Sequence, residues 1–239
     1  MKYTGRPVSD RPEYRPIRSF VRREGRLTPA QDRALLELLP RYQVQTDSSP
    51  LNFDEIFGNQ NPVVLEIGFG NGTLLAEQAA QHPDYNFIGL EVHRPGVGRL
   101  LQQLDHQTVF NVRIMNQDAI EILSTQIKPA SLFAIWLFFP DPWPKKRHHK
   151  RRIVNSRFLD HAANSLGPGG ILQLATDWQD YAHHMQLTIT DHPRFSLTEK
   201  PEQRDYPFIR PPTHFEQRGQ HRGHTITDLY AVVNNADTD

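Results

Sequence analysis

The chain has 239 residues, with 27 basic and 27 acidic side chains, 12 histidines and no cysteine. That length suits one domain, or one domain with an arm, and is enough to bury a substantial core. The missing cysteine excludes a disulfide frame and a thiolate zinc site. The start M-K-Y-T-G-R-P has no apolar segment and no run approaches membrane-spanning length, so a soluble cytoplasmic protein with no membrane partner is the expectation.

The formal net charge is zero, yet the charge is unevenly placed. Residues 1–27 carry Lys2, Arg6, Arg11, Arg15, Arg18, Arg22, Arg23 and Arg26 against Asp10, Glu13 and Glu24. Rich in Arg and Pro and without a hydrophobic period, they read as a flexible basic arm. Thr28-Pro29 opens a helix, with Thr as N-cap, Pro at the first helical position and Ala34, Leu35, Leu36, Leu38 and Leu39 as apolar positions. Residues 43–61 read as a polar connection. The segment 28–61 is therefore an N-terminal helix plus connection, and 62–235 the main domain.

From Pro62 strand and helix signals alternate. The pattern predicts a strand over Val63–Ile67, a turn at Gly68, Gly70 and Gly72, and a helix from Thr73 to about Gln81. A strand over Asn86–Val92 precedes a helix from about Pro95 to Leu104. Asn111–Met115 leads to a helix near Ala119–Leu123, and Ser131–Phe139 is the fourth strand. A helix from about Ser156 to Leu166 is stopped by Gly167-Pro168-Gly169-Gly170. Ile171–Ala175, a helix over Trp178–Thr190, and strands Phe195–Glu199 and Ile226–Val233 complete the chain. Such alternation predicts an α/β fold built on a parallel, doubly wound sheet. Residues 200–225 show no element, and a loop beyond ~12–15 residues is usually functional or disordered.

Ligands of open parallel sheets bind outside the carboxyl ends of the strands. Five carboxylates fall there: Glu66, Glu91, Asp118, Asp141 and Asp177. Singly, each reads as a surface acid or a helix cap; together they line one edge. E-I-G-F-G-N-G departs from the G-x-G-x-x-G dinucleotide fingerprint, but Gly68 and its companions permit a tight turn and close backbone approach to a ligand. Glu91 stands 19 residues after Gly72, about where an acid bonds a nucleoside ribose in this architecture. An acid-rich pocket repels a pyrophosphate and favours S-adenosylmethionine, which carries a sulfonium and an ammonium and no phosphate.

The stretch 138–152 reads F-F-P-D-P-W-P-K-K-R-H-H-K-R-R. Asp141 sits between two prolines, and Trp143 and a basic run follow. Alone, Pro-Asp-Pro is a rigid turn and a basic run a solvated face; two basic blocks in a neutral chain suggest a localised polyanion footprint. Together with V-L-E-I-G-F-G-N-G at 64–72, A-T-D-W at 175–178, P-T-H-F-E-Q-R-G at 212–219 and R-S-F-V-R-R-E-G-R-L at 18–27, this stretch resembles the bacterial tRNA (guanine-N7-)-methyltransferases. The resemblance runs from about Arg18 to Val233. It implies a Rossmann-like seven-stranded methyltransferase sheet, mostly parallel with an antiparallel last strand and helices on both faces. It further implies S-adenosylmethionine as donor, and a guanine in the variable loop of tRNA as acceptor, forming 7-methylguanosine. Carried over, Glu66, Glu91, Asp118 and Asp141 are cofactor positions, joined by Gly68 of the turn. Lys145, Asp177 and the stretch Thr213 to Glu216 are substrate positions.

Guanine N7 bears an in-plane lone pair and no proton, so its methylation needs positioning and exclusion of water rather than a strong base. Asp141 is expected to be the catalytic group, holding the guanine N1–H and N2–H₂ edge and steadying the cation that forms. Trp143 and Phe215 could stack on an extruded base or fill the core. Lys145 suits the nucleotide's phosphate, and Lys146 to Arg152 with the arm would grip tRNA by its backbone. His148 and His149 are adjacent and diverge, so no metal is expected. The rival readings are a small-molecule or adenine methyltransferase, a non-catalytic RNA-binding protein and a dehydrogenase. Monomer and homodimer both remain open.

Overall fold

The computed structural model describes residues 25–45, 50–202, 205–211, 216, 223 and 225–234. The arm up to residue 24, Thr213 and Phe215 lie outside the described residues. Helix α1 (Pro29–Glu37) begins as its sequence dictates. The Thr28 hydroxyl accepts from the Gln31 N–H at 3.2 Å, and the Gln31 side chain accepts from the Thr28 N–H at 2.9 Å. This reciprocal cap satisfies donors that the helix leaves unpaired, and Pro29 stands where no N–H is needed.

Residues 43–61 are more than a polar connection. After α2 (Leu39–Tyr42) come a bridge from Gln43 to Ile114, the buried Val44, Leu51 and Phe53, and a short helix α3 (Phe53–Phe57) closed by Gly58 at φ +71°. These apolar residues have neither a 2.0 nor a 3.6 period, which hides them from pattern reading.

The main domain follows the alternation. β1 (Val63–Ile67), α4 (Thr73–Gln81), β2 (Asn86–Leu90), α5 (Arg94–Gln107), β3 (Val112–Met115), α6 (Ala119–Thr125) and β4 (Leu132–Phe138) come first. α7 (Ser156–Ser165), β5 (Leu166–Thr176), α8 (Gln179–Thr190), β6 (Phe195–Thr198) and β7 (Thr227–Val233) follow. The seven strands are ordered β3-β2-β1-β4-β5-β7-β6, with the first five parallel and β7 antiparallel to both neighbours. Strand order reverses between β1 and β4, the switch point at which such sheets open a crevice.

Every residue of β1 and of β2 is buried, the pattern of strands covered on both faces. Leu65, Ile88, Ile135, Phe158 and Met185 belong to one core cluster, and Val64, Phe87, Trp136, Leu75 and Leu100 to the other. Neighbours along a strand thus serve opposite faces.

Two further corrections concern the second half. Gly167–Gly170 does not separate helix from strand: Leu166 already pairs with Leu132, and pairing resumes at Ile171 with Ala134 after a register shift. The four residues are an excursion inside β5, of which Pro168 and Gly169 are exposed. The stretch after residue 200 is not structureless either. Tyr206 and Phe208 are 1% and 2% exposed and pack in the second cluster, so residues 205–211 form a strap on that face.

Candidate functional site

The carboxyl ends of β1, β2 and β3 gather three acids. Glu66 lies in β1 beside Gly89 of β2 and Trp136 of β4. It is 4% exposed, and its Oε2 is buried with no hydrogen-bond partner among the described residues. Burial, reinforced by the nearby Glu91 carboxylate, pushes its pKa up to about 8. Gly68 follows at φ +74°, its N–H bonded to Leu90 O at 2.7 Å, with open space where a side chain would stand. A Cβ on Gly96 would fall 2.0 Å from Gly70 O, so α5 closes onto the turn only because that position is glycine.

Glu91 organises this turn. Its Oε2 accepts from Gly70 N at 2.9 Å, and its Oε1 from Val92 N at 2.8 Å and His93 N at 2.9 Å. Three of roughly four acceptor sites are filled, which leaves capacity for one hydroxyl. Asp118 caps α6 through Ile120 N at 2.9 Å. It is therefore both the expected helix cap and a member of the acidic edge.

Beyond β4 the chain crosses the same end of the sheet. Phe139 donates to Ala175 O at 2.8 Å, and the segment to Trp143 then runs without regular structure. Phe139 and Trp143 bracket Pro140-Asp141-Pro142 and both adopt the left-handed region, at φ +51° and +45°. For bulky residues this is backbone strain, of the kind that collects at working sites. Asp141 is exposed. Trp143 is half-buried, with Arg151 4.8 Å from its ring centre and His148 edge-on at 5.9 Å. Of the two options raised for Trp143, the core one is not met: the ring is half-buried, with a cation over one face.

Lys145 is exposed and leads into a 3-10 helix, Lys146–Arg151, that has no buried residue. Desolvation and then the field of Arg147, Arg151, Lys145 and Lys150 hold the His148 pKa below its usual value, a sign of concentrated positive potential. Arg152 departs from the expectation that the whole run grips RNA. Its side chain is buried, because Asp180 of α8 supplies a counter-charge that the local sequence does not reveal.

Asp177 follows β5, half-buried, at the same end of the sheet. Glu216 is buried and pairs with Arg210, whose guanidinium also forms a fork with Asp228 at 2.8 and 2.9 Å. Arg210 lies 5.7 and 5.5 Å from the Phe138 and Phe139 rings, so the strap is tied beside the entry to the Asp141 segment. Sequence reading gave Arg152 to the RNA-gripping run and missed Arg210, because their partners, Asp180 and Asp228, are distant in the chain. Among the described residues no group of three or more His, Asp or Glu is arranged to hold a metal ion, and no helix is long and apolar enough to cross a membrane. The arrangement suits a cationic, nucleoside-like ligand at the acidic edge and a polyanion on the 3-10 helix.

A family model described as "Putative methyltransferase" matches residues 60–229. A tRNA (guanine-N(7)-)-methyltransferase of Alkalilimnicola ehrlichii is 52% identical over 218 residues, covering 90% of this chain and 92% of the relative. One from Nitrosococcus oceani is 48% identical over 216 residues and covers 90% of each. Among solved structures the 16S rRNA methyltransferase KamB matches with a TM-score of 0.55 at 12% identity, covering 77% of this chain and 93% of its own. That likeness supports the fold alone.

Proposed function

The chain belongs to the tRNA (guanine-N7-)-methyltransferase family, and from that premise we propose that it transfers a methyl group from S-adenosylmethionine to N7 of a guanine in the variable loop of tRNA. The observation that carries the reading is a juxtaposition. A buried carboxylate oxygen on Glu66, without a partner among the described residues, shares one sheet edge with the strained Asp141 segment, and an exposed cationic helix follows directly.

When bound, S-adenosylmethionine supplies an electrophilic methyl on a sulfonium, with an ammonium besides. Glu66 offers a buried carboxyl that faces that positive charge as an anion once it gives up its proton, and the acidic edge as a whole disfavours a pyrophosphate. Glu91 keeps one acceptor site for a ribose hydroxyl, and Asp118 completes the acidic edge at β3. Gly68 lets the backbone come close.

On the acceptor side Asp141 receives the N1–H and N2–H₂ edge of the guanine. The N7 lone pair takes the methyl, the positive charge passes to the purine, and the fixed carboxylate stabilises it. No proton leaves N7, so no general base is assigned. Lys145 meets the nucleotide's phosphate, and Asp177, Thr213 and Glu216 complete the substrate side. Trp143, backed by Arg151, offers its ring to a base drawn out of the loop. Lys146, Arg147, Lys150 and Arg151 hold the RNA backbone. On this reading residues 62–235 are the methyltransferase domain, 28–61 buttress it, and 1–27 are a basic arm for RNA, working in the cytoplasm where tRNA is processed.

The test is transfer of a labelled methyl from S-adenosylmethionine to unmodified tRNA, followed by digestion to nucleosides. A single labelled product, 7-methylguanosine, is expected. Label in methylated adenosine, or tRNA binding without any transfer, would overturn the reading.

A further inference from the structure

Arg152 closes the basic run, and charge pattern alone would give it a phosphate contact. Its surroundings say otherwise. The side chain is 2% exposed, whereas Lys145, Lys146, Arg147 and Lys150 face solvent. Its Nε donates to the Pro142 carbonyl at 3.0 Å, its Nη2 pairs with Asp180 in the first turn of α8, and its guanidinium lies 4.8 Å from the centre of the Tyr181 ring. The hydrogen bond from Arg152, more than any other influence, holds the Asp180 carboxyl below the usual carboxylate range. A planar fork can serve two acceptors and a ring face at once; an ammonium cannot.

The carbonyl so held follows Asp141 directly. The segment around Asp141 has two prolines without N–H donors and left-handed, strained residues at both ends. Strain of this kind persists only where the surroundings over-determine the backbone. At the Phe139 end one anchor is the bond to Ala175 O; towards the Trp143 end Arg152 supplies another through the Pro142 carbonyl.

We propose that Arg152 is a positioning residue for methyl transfer: it clamps the Pro142 carbonyl to the start of α8 through Asp180, fixes the Asp141 segment over the site, and does not contact RNA. The inference rests on the reading of Asp141 as the group that receives the guanine.

The experiment uses the full chain with Arg152→Gln, Arg152→Lys and, as comparator, Lys146→Gln, beside the wild type. Three quantities are read: melting temperature, tRNA affinity as a function of salt, and single-turnover methyl transfer at saturating tRNA and S-adenosylmethionine. Both Arg152 variants should bind tRNA with wild-type affinity and salt slope, while the transfer rate falls about 100-fold, as expected for a misplacement of ~1 Å. Lysine should fail to rescue, since a point charge cannot reach Pro142 and Asp180 together. In Lys146→Gln the salt slope should fall by about one. A salt slope lowered by about one in Arg152→Gln with an unchanged saturated rate, or full rescue by lysine, would overturn the proposal. Should Arg152→Gln not fold, Asp180→Asn carries the test. It is expected to slow transfer about tenfold without tightening tRNA binding, and a wild-type rate there contradicts the clamp. Failure of the wild type itself to methylate guanine would strike the underlying reading instead, and is seen separately.

Discussion

Glu66 governs how the site answers to pH. Its carboxyl lies between two strands, and burial, reinforced by the Glu91 carboxylate, pushes its pKa up to about 8 from 4.5. The folded chain therefore holds a proton that the unfolded chain has released between those values. Its contribution to stability is complete below about pH 4.5 and is lost as pH rises towards 8. A Glu66→Gln variant keeps the neutral form at every pH. Its melting temperature should rise relative to wild type as pH goes from 5 to about 8 and then level off; a constant difference would show that Glu66 titrates normally. A cationic cofactor calls for the ionised form, so binding should release a proton. S-adenosylmethionine affinity should accordingly increase with pH up to about 8 in wild type and be flat in Glu66→Gln, as titration calorimetry in buffers of differing ionisation enthalpy would read. For Asp141, the Asn variant keeps an acceptor oxygen and loses the charge. Single-turnover transfer should fall about 10²–10³-fold with tRNA affinity little changed, and an unchanged rate would remove Asp141 from the chemistry. Glu66, Glu91, Asp118, Asp141 and Asp177 were all legible at strand ends in the sequence. The orphaned oxygen of Glu66 was not, because only packing tells which lone pairs find partners.

The strap over residues 205–211 shows where pattern reading stops at the level of elements. β1 and α4 were readable to the residue because continuous β-branched burial and a Gly turn are local signals. Tyr206 and Phe208 follow no helical or strand repeat. Their burial is decided by Trp136 of β4 and Gln173 of β5: the Tyr206 hydroxyl accepts from Trp136 Nε1 and donates to Gln173 Oε1 at 2.7 Å, while Phe208 meets Trp136 edge-on at 5.1 Å. Removing that hydroxyl in Tyr206→Phe leaves a buried donor and a buried acceptor unpaired. A loss of about 2 kcal/mol in urea unfolding is expected, and a loss within error of zero would show the network to be dispensable. The basic run shows the same limit. Its charge was plain in the sequence, but its division between four outward cations, Arg151 laid against Trp143, and one buried clamp depends on partners that spacing cannot reveal.

At the scale of the molecule the formal charge is zero, so RNA binding must come from charge placement rather than charge total. Lys145, Lys146, Arg147, Lys150 and Arg151 cluster beside the Asp141 segment. If each neutralises a phosphate, log affinity for tRNA should fall against log salt with a slope of at least about −3, while S-adenosylmethionine binding stays nearly insensitive. A flat tRNA response would place the RNA on some other surface. The most direct measurement replaces the accepting guanine of the tRNA with 7-deazaguanine, which keeps the Watson–Crick edge and lacks the N7 lone pair. This tRNA is expected to bind as tightly as the unsubstituted one and to accept no methyl group. Methyl transfer to it at a comparable rate would contradict the account, since the acceptor atom could then not be N7.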